Sequence, residues 1–511
     1  MSVRAHRSSA HLFAHADRHQ SRLWRGTTRC RNSVAAVTVL AIDQGTSATK
    51  AVVVADDGTV IAMAEAAIQI RADSAGAVEL DPEELWTSVI AAGEEALAAA
   101  GRPHLDAIGL ANQGETVMAW DRSAGTPIGP AIVWQDRRAE VVCDRLREHG
   151  AFLAERTGLE LDPYFVAPKM VWLRDRVGDG PTITTTDTWM LHRLCGAFAT
   201  DISTAGRSLL LDLDAGAWSE QACEIFDIDI AGLASVTGNA QLLGETSVFG
   251  GSVPVTGTCV DQQAALFAEH CRAAGEAKCT YGTGAFMLAC TGDKPTRSSN
   301  GLVGCPAWQI DETITYCLDG QVYTVGAAVS WLIEMGVMSE PADLDRLGAT
   351  VGTSGGVTFV AALAGLAAPY WKPQAKAAFT GLTLGTERGH LVRAAIEGIA
   401  AQVALLAQAA GRDLGAPLTR LRVDGGLTRS TLLLQIQADL LQAPVEVYHS
   451  PHATALGVAA FADLGAKPNS PSQLSDDDWH PDLVVEPRIG ADEAAERLAA
   501  WQRVATATMD L

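Results

Sequence analysis

Leu40-Ala41-Ile42-Asp43-Gln44-Gly45-Thr46-Ser47 runs from an apolar stretch straight into a polar, glycine-bearing turn. Val37 to Ile42 is rich in β-branched residues and reads as a buried strand. Lys50 to Ala55 reads as a second strand, and Asp56-Asp57-Gly58 turns the chain into a third that begins at Val60. In such a hairpin the N–H groups of Gly45, Thr46 and Ser47 point at the mouth of the turn, where they can hold phosphate oxygens. Gly45 lets a phosphate approach, and Asp43 can hold Mg2+ directly or through water. An ordinary polar hairpin also favours Asp and Gly, so the turn alone leaves both readings open.

Outward from this hairpin, Asp81-Pro82-Glu83-Glu84 opens a helix with an N-cap Asp, Pro at the first position and acids in the first turn. It places Leu85, Val89, Ala92 and Ala96 on one face and ends near Gly101. The second half repeats this grammar. Lys278 to Gly284 is a strand and a Gly-rich turn, followed by a strand from Ala285 to Cys290. A long apolar helix spans about His390 to Ala410 and stops at Gly411. Leu421-Arg422-Val423 then enters Asp424-Gly425-Gly426 and a helix from Ser430 to Leu441. Two α/β halves, each with a strand–turn–strand loop, imply an active site in the cleft between them. The boundary is expected near Gly251–Gly257, giving domains 34–255 and 256–470 and a tail over 471–511 with a helix at Ala491 to Thr506.

Composition narrows the class. The 511 residues are 48% hydrophobic and 19% charged, enough to bury a large core. A net charge of −22 excludes the basic stripe that nucleic acid requires and disfavours an anionic membrane surface. Ten cysteines form no CxxC pair or zinc-spaced cluster, and a chain this long needs no staples, so free thiols in a reducing cytoplasm are expected. No apolar run of about 18 residues suggests a membrane span. Residues 1–33 hold seven Arg and four His against the single acid Asp17. They lack the apolar stretch of a secretory signal, and a disordered or spurious extension is expected there.

Three further motifs carry chemistry. Tyr281-Gly282-Thr283-Gly284 is a second Gly/Thr loop between strands. Asp424-Gly425-Gly426 is a strand-to-helix turn against which an adenosine can lie. Asp261-Gln262-Gln263 puts a carboxylate at a helix start, where it suits either a general base for a hydroxyl or an N-cap. No GxxxxGK[ST] sequence exists, which excludes a P-loop, and no GxGxxG follows the first strand.

Together these segments resemble the FGGY carbohydrate kinases of the actin-like ATPase superfamily, and their glycerol kinase branch in particular. The likeness covers about Val37 to Gly465 and includes Ala131 to Arg138, Asp162 to Phe165, Val260 to Phe267, Ala368 to Trp371 and Ala377 to Glu397. It implies two actin-like (ribonuclease H-like) domains and ATP-dependent phosphorylation of a primary hydroxyl of a small polyol, with ATP and Mg2+. It implies Asp261 as the base, and Glu115, Trp134, Tyr164, Gln262 and Phe286 around the polyol. Asp43 would organise the metal; Gly45, Thr46, Ser47, Lys50, Gly282, Thr283, Gly326, Gly426 and Ser430 would hold the nucleotide. Two departures stand out. Gly114 replaces the Arg that the branch uses to grip glycerol, which opens room for a longer polyol such as erythritol. Ser330 and Ser430 stand where longer amides are usual. A ketose kinase acting on xylulose or ribulose, and an actin-like ATPase switch, are the competing readings. Cytoplasmic location is expected; oligomeric state is unreadable.

Overall fold

The computed structural model describes residues 38–73, 76–467 and 479–509, so the extension expected over 1–33 lies outside the described residues. The first sheet holds β1 (Thr38–Gln44), β2 (Ala48–Ala55), β3 (Val60–Ala67), β4 (Ala107–Asn112), β5 (Ala240–Thr246) and β6 (Val253–Val260). Their order is β5-β6-β4-β1-β2-β3. β1, β2 and β3 form an antiparallel meander, while β1, β4 and β6 run parallel.

The second sheet holds β7 (Ala277–Tyr281), β8 (Ala285–Gly292), β9 (Val303–Ile310), β10 (Thr313–Val322), β11 (Leu421–Asp424), β12 (Val445–Val447) and β13 (Leu483–Val485). The order β9-β10-β8-β7-β11-β12-β13 repeats the plan. A central hairpin has antiparallel strands on one side and parallel strands on the other. The chain therefore contains the same α/β unit twice, the arrangement of actin-like, ribonuclease H-like domains.

The helices used below are α1 (Pro82–Ala99), α2 (Asp261–Ala268), α3 (Gly326–Glu334), α4 (Arg388–Leu414), α5 (Thr431–Leu441), α6 (Ala453–Ala466) and α7 (Ala491–Thr508). α1 starts where the capping residues require, with the Asp81 carboxylate accepting the Glu83 N–H. Its Leu85, Val89, Ala92 and Ala96 pack against Leu40, Ile42 and Val53 of the first sheet. α4 lays Ile396, Ile399 and Val403 against Met287 and Leu318 of the second. It is long and apolar enough to cross a membrane by composition, yet 78% of its apolar stretch is buried inside the protein, which is how a central core helix reads. α4 also runs past Gly411, where the sequence suggests a stop, and ends at Gly415 with φ 76°. Gly411 stays helical because it packs on Ala416 and Pro417, where the missing side chain leaves room.

A third core lies between the sheets. Leu266 and Phe267 of α2 and Val458 and Phe461 of α6 fill the space between Ala41 and Val52 on one side and Leu288 and Trp308 on the other. Phe267 lies 4.4 Å from Phe461 and 5.1 Å from Trp308, ring centre to ring centre. Burying such rings contributes about 1.5–3 kcal/mol each. α2 and α6 cross almost backbone to backbone. A Cβ on Gly457 would stand 1.9 Å from the Ala264 carbonyl oxygen. The division expected at 255/256 falls inside β6, which stays in the first sheet to Val260. α6, from late in the chain, also packs on that sheet. The two units thus join through a pair of crossed helices, and Asp261 is the first residue of one of them.

Candidate active site

The first hairpin is built as its sequence suggests. The Gly45 N–H donates to the Ala48 carbonyl at 3.1 Å, closing the turn. The amides of Thr46 and Ser47 have no intramolecular partner among the described residues. Asp43 and Lys50 stand opposite each other in the β1–β2 ladder. Burial pushes the Asp43 carboxyl up to about 6; Lys50 pulls it down, and Glu65 and Asp424 push it further up. Trp134 Nε1 donates to the Thr46 hydroxyl at 2.9 Å. One ring thereby links this turn to the neighbouring pocket.

The second hairpin faces a different set of partners. Val325 and Gly326 N–H groups donate to the carbonyls of Thr283 and Gly282 at 3.0 Å each. Gly326 opens α3 at this point, and any Cβ there would meet the Gly282 oxygen at 2.5 Å. Gly425, with φ 94°, presses on Tyr281, where a Cβ would come within 2.4 Å of its carbonyl oxygen. A Cβ on Gly426 would meet nothing within 4 Å, so this part of the turn borders open space. Ser430, also expected at the nucleotide, directly follows the Gly426–Arg429 turn. Its hydroxyl caps α5 by accepting the Leu433 N–H at 3.1 Å and also bonds Asp345.

Between the hairpins lies Asp261, partly buried at the first position of α2. Burial raises its carboxyl to about 7, with Asp43 and then Glu115 adding to the rise, while Lys278 opposes it. The buried Lys278 ammonium donates to Gln262 Oε1 at 2.6 Å and to the Thr280 hydroxyl at 2.7 Å. Gln262 is therefore held from beneath by a lysine that no motif announced. Asp424 is likewise raised by burial, and its Oδ1 is a buried oxygen without a hydrogen-bond partner.

On the far side of Asp261, Trp134 makes edge contacts with Tyr164 and with Phe286, both at 5.9 Å between ring centres. Glu115 adopts φ 54°, a left-handed conformation that costs of order 1–3 kcal/mol. This turns its carboxylate onto the buried Arg207, whose Nε donates at 2.6 Å. The same guanidinium reaches Asp319 at 2.8 Å. One cation from the first unit thus binds a carboxylate from each unit. Lys169, fully buried, donates to the carbonyls of Tyr164 and Phe165, and burial lowers its ammonium to about 8. Arg207, Asp319, Lys278 and Lys169 escaped sequence reasoning. None of them belongs to a motif, and only the fold brings them to the site.

The site therefore has two glycine-bearing turns facing a carboxylate at the crossing of two helices, with an aromatic and acidic pocket beyond. Paired turns of this kind across a cleft define the actin-like ATPase fold. Residues 38–268 match the N-terminal domain of the FGGY family of carbohydrate kinases, and residues 277–466 match its C-terminal domain. The chain is 42% identical to the glycerol kinase of Methylibium petroleiphilum over 494 residues, covering 92% of this chain and 99% of that one. It is 43% identical to that of Thermus brockianus over 444 residues, covering 84% and 90%. The Plasmodium falciparum glycerol kinase, solved with ADP, superimposes with a TM-score of 0.84 at 29% identity, covering 92% and 98%. A xylulose kinase from Rhodospirillum rubrum shares the fold, with a TM-score of 0.80 at 22% identity over 92% and 98%. The chain belongs to the FGGY family of carbohydrate kinases and is an enzyme that transfers a phosphoryl group to an alcohol.

Proposed function

We propose that the chain phosphorylates a primary hydroxyl of a small polyol, glycerol or a longer one such as erythritol, using ATP and Mg2+. One observation carries this reading. The Asp261 carboxyl lies between Asp43 of the first hairpin and Glu115 of the aromatic pocket and is raised by both. An acceptor hydroxyl in that pocket and a phosphate at the hairpins then meet at Asp261. A carboxylate titrating near 7 suits a base that takes a proton from an alcohol around neutral pH. The aromatic faces of Trp134, Tyr164 and Phe286 hold the carbon chain, and Glu115 and Gln262 orient its hydroxyls.

The amides of Thr46 and Ser47, together with the second hairpin and the Gly426 turn, hold the triphosphate and the nucleoside. Among the described residues no three His, Cys, Asp or Glu side chains converge as a metal cage. Mg2+ keeps most of its waters and takes one or two carboxylates. Asp43, raised by burial and near the unpartnered Asp424 Oδ1, is the residue that would hold it. The bound cation would neutralise charge building on the phosphoryl oxygens. Closing the cleft about the α2–α6 crossing excludes water, which suppresses hydrolysis.

The test is ADP release by the purified chain across glycerol, erythritol, xylitol, xylulose and ribulose. Polyol turnover above every ketose is the expected result. A ketose preferred over all polyols would transfer the site to the ketose class. ATP hydrolysis indifferent to every acceptor would mark an ATPase switch.

A further inference from the structure

Asp319 and Gln321 lie two residues apart on β10 and so point to the same face of the second sheet. Their cross-strand neighbours on β8 are Leu288 and Phe286, and Phe286 is the wall of the acceptor pocket. Both side chains are deeply buried, at 4% and 0% exposure. Their donors and acceptors do not balance. Gln321 Nε2 donates to Asp319 Oδ2 at 2.7 Å, and Arg207 pairs with that same oxygen. Asp319 Oδ1 and Gln321 Oε1 are left as buried acceptors with no partner. A buried acceptor left unsatisfied forfeits the hydrogen bonds that water would give it, so the pair calls for two donors that the described protein does not supply.

The position of this pair decides what those donors belong to. Glu115 acts on Asp261 on one side and is bound through Arg207 to Asp319 on the other. Tyr164 and Tyr323 are both raised in part by Glu115 and Asp319, so these four groups are near neighbours. The unpartnered oxygens thus lie one guanidinium away from Glu115, in the stretch of β10 that pairs with Phe286. Residue 114, next to Glu115, is glycine and supplies no side chain to the pocket; a Cβ there would already touch Val260 Cγ2 at 3.0 Å.

We infer that Asp319 Oδ1 and Gln321 Oε1 form a hydroxyl-accepting subsite for the end of the acceptor remote from the attacking oxygen. The ligand class is a polyol with at least four carbons whose far hydroxyls donate to both atoms. A carbonyl at that position has no proton to give and leaves the acceptors unpaired, so the subsite also selects against a ketose presented that way. The inference rests on the polyol kinase reading and specifies its substrate.

The experiment compares kcat and KM for glycerol, erythritol and xylitol in wild type and in Gln321→Met, which keeps the volume and deletes the acceptor. The expected result is at least a tenfold fall in the ratio of tetritol or pentitol kcat/KM to that of glycerol, carried by KM. A ratio unchanged within twofold overturns the subsite, because the two oxygens are then satisfied by water. Should Gln321→Met fail to fold, Asp319→Asn serves with the same readout, since it turns the free acceptor into a donor at constant size. A wild type that phosphorylates no polyol removes the acceptor reading and the subsite together. Polyol turnover with an unshifted ratio removes the subsite alone.

Discussion

The two hairpins of the cleft, residues 43–50 and 280–286, occupy equivalent places in the two sheets and are built for different work. The first is charged and tied to the acceptor side, with Asp43 opposite Lys50 and Thr46 bonded by Trp134. The second is neutral and tied to its own unit, gripped backbone to backbone by Val325 and Gly326 and pressed by Gly425. The same strand–turn–strand unit thus became, in one copy, a turn joined through Trp134 to the aromatic pocket. In the other it became a rigid cradle whose glycines permit contact no larger residue allows. What differs is the partner that the rest of each unit delivers to the turn.

The largest expected effect tests the point where the two halves meet. Asp261→Asn should lower kcat by about 10²–10⁴-fold with little change in polyol KM, measured by ADP release; near-normal kcat removes Asp261 as base. In wild type, kcat/KM should climb with pH and level off above about 7, where the carboxylate form predominates. The same group affects stability with a definite sign. Its folded pKa is raised, so its contribution to stability is present at low pH and lost as pH rises toward 7. Melting without ligands should therefore show Asp261→Asn more stabilising at pH 8 than at pH 5.

A cradle dependent on missing side chains should break sterically. Gly326→Val, placed 2.5 Å from the Gly282 oxygen, should raise ATP KM tenfold or more and leave polyol KM nearly unchanged. Loss of both affinities together would mean the cradle is not confined to the nucleotide. The first hairpin should respond more mildly and on both substrates. Trp134→Phe deletes the Nε1 bond to Thr46, a net loss of about 0.5–1.5 kcal/mol or roughly 2–13-fold in kcat/KM. The smallest effect is expected for Thr283→Ser, whose side chain is exposed while its carbonyl does the bonding, with rates within about twofold of wild type.

Most of the strand–turn–strand grammar was legible because its signals are local. Alternating and β-branched runs gave β1, β2, β7 and β8, and Asp81-Pro82 gave the start of α1. The end of α4 was misjudged because a glycine that stops a helix and one that makes room for a neighbour look alike in a sequence. Ser430 was expected at the nucleotide, and only its bonds to Leu433 and Asp345 show that its hydroxyl is committed to a cap.

Chain chemistry by itself set the two glycine-bearing turns, the acid at 43 and the acid that opens a helix at 261, because each depends on neighbours within a few residues. Tertiary structure alone decided that Arg207 joins Glu115 to Asp319, that Lys278 holds Gln262, and that two acceptors on β10 are buried unpaired. Those contacts link residues far apart in sequence, several of them drawn from both units. They become chemistry only when packing removes the water that would otherwise screen and satisfy them.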